Sequence, residues 1–239
     1  MAKITKVFIS GKIANLIAYE RNGTECVRTM PEEVLQTEAT KRSAKNFGKA
    51  VTLAKFLRWE MSSVFSKTKG RVAEYQLSNG VSAWLASGAA GNNAVQNNPP
   101  ELAGLQFSKE IEMEARLKFS FAVDWAQPGK VLLQLPAINP TLHIKAPANT
   151  QVVHLTVAMA GSIVARPEST ESATVSISID YTNATRPVQA IELPFEVKPG
   201  SINVIAVAVQ YSKAVQRHTK FINDPVWNPA GIETALYQP

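Results

Sequence analysis

The chain has 239 residues, 45% of them apolar, and a formal net charge of +6, so it can bury a sizeable core without covalent staples. Its single cysteine, Cys26, excludes an intramolecular disulfide and any zinc site built on two thiolates. The opening MAKITKVFIS has no apolar signal core with a small-residue cleavage site, and no window reaches the roughly 18 apolar residues of a spanning helix; this predicts no classical signal peptide, no membrane span and a place in the cytoplasm or in a particle assembled there.

The charge is lopsided: residues 1–75 hold 14 Lys/Arg against 7 Asp/Glu, and the remainder 11 against 12. A basic front meets nucleic acid, an acidic partner or only water, and no nucleic-acid-binding motif selects among them.

In chain order, the first signal is Asn22-Gly23 between residues 12–19 and 25–28, the strongest short cue for a β-hairpin. Pro31 closes this region, and from Thr37 the apolar period becomes 3.6. Ala50, Ala54, Leu57, Met61 and Val64 make one stripe, widened by Phe47 and Phe65, with Thr37 or Thr40 available as the cap. A helix over 37–68 is predicted, with Lys41, Arg42, Lys45, Lys49 and Lys55 on its other face, and Gly48 costs it up to about 1 kcal/mol. A second helix is expected over 71–86, its packing side formed by Val72, Tyr75, Leu77, Val81, Trp84 and Leu85 and its course interrupted at Asn79-Gly80.

The Gly-, Asn- and Pro-rich stretch that follows reads as a linker. Beyond it the period is 2: Leu117, Phe119, Phe121, Val123 and Trp125 alternate with polar or small residues, as do the sets starting at Val153, Val175 and Ile191, with a further strand over 202–211. About seven short strands without a helix-length interval imply a two-sheet antiparallel sandwich. The predicted organisation is a hairpin-plus-helices region at 1–90, a linker at 91–103, a sandwich at 104–221 and an extended Pro-rich tail at 222–239. The fold class is α+β, with an immunoglobulin-like β-sandwich after the helical region.

Catalytic chemistry finds little support. His143, His154 and His218 form no paired ligand motif, and His154 falls on the strand face opposite Val153 and Leu155, where a solvent-facing role is expected. Ser10-Gly11-Lys12 lacks the first glycine and following helix of a phosphate loop. Glu110, Glu112 and Glu114 read as a solvated face, and Cys26 as an inert packing residue. Neither cofactor nor metal is expected.

Residues Ser10-Gly11-Lys12-Ile13, Asn15, Tyr19, Gly23, Arg28 and Pro31, followed by Thr37-Glu38-Ala39 and Phe47, resemble an uncharacterised family of Bacteroidota proteins. Its members open on SGKIGN, pass through a tyrosine and an arginine-proline stretch to a TxAQ…RxxF helix start, and end in an immunoglobulin-like domain. The resemblance covers about the first 60 residues and implies the two-part architecture without an activity. Ala14 stands where the family has its second glycine, and Ala44 where it has arginine, with Lys45 or Arg42 as substitutes. Some phage structural proteins have a similar arm-plus-helix opening.

The implied role is a non-catalytic structural subunit that assembles with copies of itself through terminal arms. Phe8, Ile13, Leu16 and Tyr19 exceed what an isolated hairpin buries, and Trp227 and Tyr237 in the tail must dock on their own domain or on a neighbour. The alternatives are a nucleic-acid-associated protein using the Lys41–Lys55 face, or a surface adhesion module on the sandwich.

Overall fold

The computed structural model describes residues 3–5, 8–30, 36–66, 72–87, 98–108, 111–127, 129–215, 218–224 and 226–239. They divide into two compact units, split between Ser43 and Ala44.

In the first unit, β1 (Lys3–Thr5), β2 (Phe8–Ile13), β3 (Leu16–Arg21) and β4 (Thr24–Thr29) form an antiparallel meander in chain order. The Asn-Gly turn is where the sequence predicts it: Arg21 pairs with Thr24 across Asn22 (φ 51°) and Gly23 (φ 77°), the left-handed pair that matches strand twist. A second two-residue turn joins Ile13 to Leu16 and holds Ala14 at φ 50°. The expected hairpin is therefore part of a four-stranded sheet. Pro31 lies outside the described residues.

Helix α1 (Glu38–Glu60) starts on Thr37, whose Oγ1 accepts the Thr40 N–H at 3.2 Å, satisfying one of the orphan amides of the first turn. The chain then forms α2 (Ser62–Phe65) and α3 (Val72–Ala86). The helix expected to reach 68 breaks at Met61, where φ is −89° and ψ 22°. Ala50, Ala54, Leu57, Met61 and Val64 are buried as their spacing predicts, but Phe47 is 60% exposed. Helix α3 passes through Asn79-Gly80 uninterrupted. A Cβ at Gly80 would lie 2.6 Å from Leu105 Cδ1 and 2.8 Å from the Glu101 carbonyl oxygen, so the absent side chain permits a close crossing that offsets the roughly 1 kcal/mol helix cost of glycine.

The remaining elements are β5 (Ala122–Asp124), β6 (Lys130–Leu135), α4 (Pro140–His143), β7 (Val152–Ile163), β8 (Ser169–Asp180), β9 (Gln189–Pro194), β10 (Ser201–Val215), β11 (His218–Ile222) and β12 (Ala230–Gln238). One antiparallel sheet has the order β11-β10-β7-β8 with β12 also on β10, and the other has the order β5-β6-β9. The strand expected over 117–125 shrinks to β5. Leu117 makes only an isolated bridge to Ile144, and the Phe121 N–H donates to the Glu233 carboxylate instead of a strand carbonyl. Leu117 and Phe121 still point inward, and Phe119, Val123 and Trp125 pack partly against the same core.

The larger sheet is covered on both faces. Val153, Leu155, Val157, Val207 and Val209 meet Val131, Leu133 and Leu193 of the smaller sheet. Ala158, Ala160, Val204, Ala206 and Ala208 meet Leu53, Leu57, Leu77 and Trp84 of the helices. The run of alanines on that side lets helices lie close to the strands. This corrects the predicted division in which the helices share a region with the hairpin and are linked flexibly to the sandwich: from Ala44 onward helices and sheets form one unit. Residues 88–97 lie outside the described residues, and Leu102, still within the expected linker, is fully buried.

The tail is also corrected. Instead of lying extended over a surface, it becomes β12, paired with β10 from Ala208↔Ala230 to Ser201↔Gln238 around a bulge at Ile205/Ala206. Ala230, Ile232 and Ala235 are buried against the helices. The bulge and two-sided burial erase the alternation by which a strand is recognised.

A Cβ at Gly161 in β7 would fall 2.4 Å from Thr170 Oγ1, 2.6 Å from Asn203 Oδ1 and 2.9 Å from Phe195 Cζ. Gly161→Ala should therefore lower unfolding free energy by about 1–3 kcal/mol through overpacking, read as a fall in denaturant midpoint at unchanged slope.

Candidate assembly surfaces

The register of the N-terminal sheet determines which side chains share a face. Ile13 pairs with Leu16, Gly11 with Ala18, and Ala18 with Val27, so Ile13, Leu16, Ala18 and Val27 lie on one side. Among the described side chains of this sheet only Ala18 is buried, while Ile13 is 42%, Leu16 38% and Val27 60% exposed. Two steps beyond Val27 on the same face, Glu25 stands opposite Glu20. Both carboxylates are exposed, and neither joins an ion pair among the described residues. Like charges directly across a pair of strands repel.

The other face carries Lys12, Ile17 and Arg28 in register, then Tyr19 opposite Cys26. Tyr19 is half-buried, and the Cys26 thiol donates to the Thr24 carbonyl at 3.5 Å. The side chain of Phe8 lies outside the described residues.

On α1, Lys41, Arg42, Lys45 and Lys55 are exposed, whereas Lys49 is half-buried. Lys41 is paired with Glu38 at 2.8 Å and the neighbouring Arg58 with Glu74 at 3.1 Å, so part of the predicted basic face is already neutralised. Sequence reading missed a second exposed feature of this helix. Phe47, Val51 (41% exposed), Lys55 and Trp59 (76% exposed) follow one another at i, i+4, which aligns them in one ridge. Trp59 was legible as a large apolar residue off the buried stripe.

The tail aromatics dock on their own unit. Trp227 lies under the Arg116 guanidinium, 3.7 Å from its ring centroid, while Arg116 Nη2 donates to the Val226 carbonyl at 2.9 Å. Tyr237 meets Trp84 edge-on at 5.3 Å. Neither is free to anchor a neighbour in the way the arm reading requires of them.

His154 is half-buried, its ring nitrogens 3.2 Å from Ser178 Oγ and 2.9 Å from Ser212 Oγ. Burial holds its pKa below the ordinary value. His143 Nδ1 accepts the Asn139 N–H at 3.2 Å, so this imidazole closes a local turn. Glu110 lies outside the described residues. Glu114 lines a cavity of about 140 Å³ with Glu233, Gln106, Met113, Phe119 and Ser120. Among the described residues, no three His, Cys, Asp or Glu side chains converge to hold a metal, and no helix is long and apolar enough to cross a membrane.

Burial raises the Glu233 pKa above its ordinary value of 4.5, opposed by the Phe121 N–H and reinforced by Glu114. A raised acid favours the fold while protonated, so stability is lost as pH climbs from that ordinary value through the raised one. Glu233→Gln keeps an oxygen for Phe121 and removes the buried charge. Its melting temperature should exceed that of the parent at pH 7 and match it below pH 4.

No family model matches the chain, and no curated protein matches it in sequence.

Proposed function

We propose that the chain is a non-catalytic structural subunit that self-assembles through its N-terminal sheet. One observation carries this reading: a four-stranded sheet with Ile13, Leu16 and Val27 exposed on a single face. Apolar side chains left in water on one face favour a covering surface, and fully burying each is worth about 1.5–3 kcal/mol. The tail plays no part as an arm, since β12 completes its own sheet. The body from Ala44 serves as the rigid scaffold, and its strand orders β5-β6-β9 and β8-β7-β10-β12 support an immunoglobulin-like sandwich with a helical layer added. The partial neutralisation of the α1 cations makes the nucleic-acid reading the weaker one.

Size exclusion with light scattering tests the reading. The full chain should assemble increasingly up to high micromolar concentration, while the chain lacking residues 1–30 should stay monomeric with the circular dichroism of a folded body. A full chain that is monomeric throughout would refute it.

A further inference from the structure

Self-assembly leaves open what covers the apolar sheet face. Resting on that reading, we infer that the Ile13–Leu16–Val27 face of one copy docks on the outer ridge of α1, formed by Phe47, Val51, Lys55 and Trp59, in a second copy. Both surfaces are apolar and exposed. An apolar patch of this kind on a monomer marks an interaction site, and a sheet face and a helix ridge are shapes that pack on each other.

Charge supplies the orientation. The sheet face ends in Glu20 and Glu25, side by side and without ion-pair partners among the described residues. Lys55 lies inside the helical ridge, exposed and without an ion-pair partner among the described residues. A second copy bringing Lys55 to Glu20 and Glu25 relieves the acidic repulsion while the apolar residues meet. The opposite sheet face, with Lys12 and Arg28, presents the wrong sign to this helix. Complementary potentials of this kind fix register and exclude wrong partners.

The two surfaces differ. Each copy offers one sheet and one ridge, so two copies can pair reciprocally about a two-fold axis or successive copies can join head to tail.

Charge reversal tests the pairing in the full chain, at exposed positions where folding is spared. Glu20→Lys/Glu25→Lys and Lys55→Glu should each weaken assembly at least about tenfold, since each juxtaposes like charges. An equimolar mixture of the two variants should regain assembly, because each sheet then meets a ridge of opposite sign. Phe47→Ser, also exposed, should weaken assembly with unchanged circular dichroism. If wild type assembles and both Lys55→Glu and Phe47→Ser assemble equally well alone, the helix is not the receptor and this inference falls while self-assembly stands. A monomeric wild type overturns both.

Discussion

The pairing of β7 with β10, twelve consecutive residue pairs from Ser201↔Ile163 to Ser212↔Val152, is the constraint on which the rest of the body depends. These central strands are buried on both faces, which is why they read as nearly continuous apolar runs with small residues on one side. One face forms a core with β6 and β9, and the other receives α1 and α3. Neither covering layer can bury its own apolar side without that sheet. The edge of β10 left free by β7 is taken twice, by β12 along its first half and β11 along its second, so the C-terminal segment closes the structure. Arg116 pins the intervening turn through Trp227 and the Val226 carbonyl.

The N-terminal sheet is built by the opposite logic. Its turns are well specified, but among its described side chains only Ala18 is buried, while Ile13, Leu16 and Val27 are exposed. Ala14 at φ 50° adds to this, because a residue with a Cβ is disfavoured in the left-handed region. The exposed apolar residues of this sheet are the feature on which the proposed self-assembly rests.

Much of this was legible in the residues. The α1 stripe from Ala50 to Val64 and the Asn22-Gly23 turn appear where spacing and turn chemistry place them, because both signals are local. The alternating strands were visible for the same reason. What escaped was non-local. The union of helices and sheets depends on alanines such as Ala158 and Ala206, which look like weak strand residues until a helix is set against them. The tail escaped because β12 is bulged and buried on both sides. Phe47 is exposed although its spacing suggests the buried stripe, since apolar character alone does not tell an inward side chain from an outward one, and Trp59 escapes for the same reason. At the cavity, Glu233 comes from the tail and Glu114 from a distant turn, a meeting that no spacing announces.

Amide hydrogen exchange followed at increasing protein concentration addresses the central claim directly, that the N-terminal sheet is completed by a second copy whereas the body is complete alone. Protection of the Leu16–Thr29 amides in β3 and β4 should rise with concentration, while the amides of β7 and β10 remain equally slow throughout. Strong protection of β3 and β4 in dilute monomer, unchanged on concentration, would contradict the account.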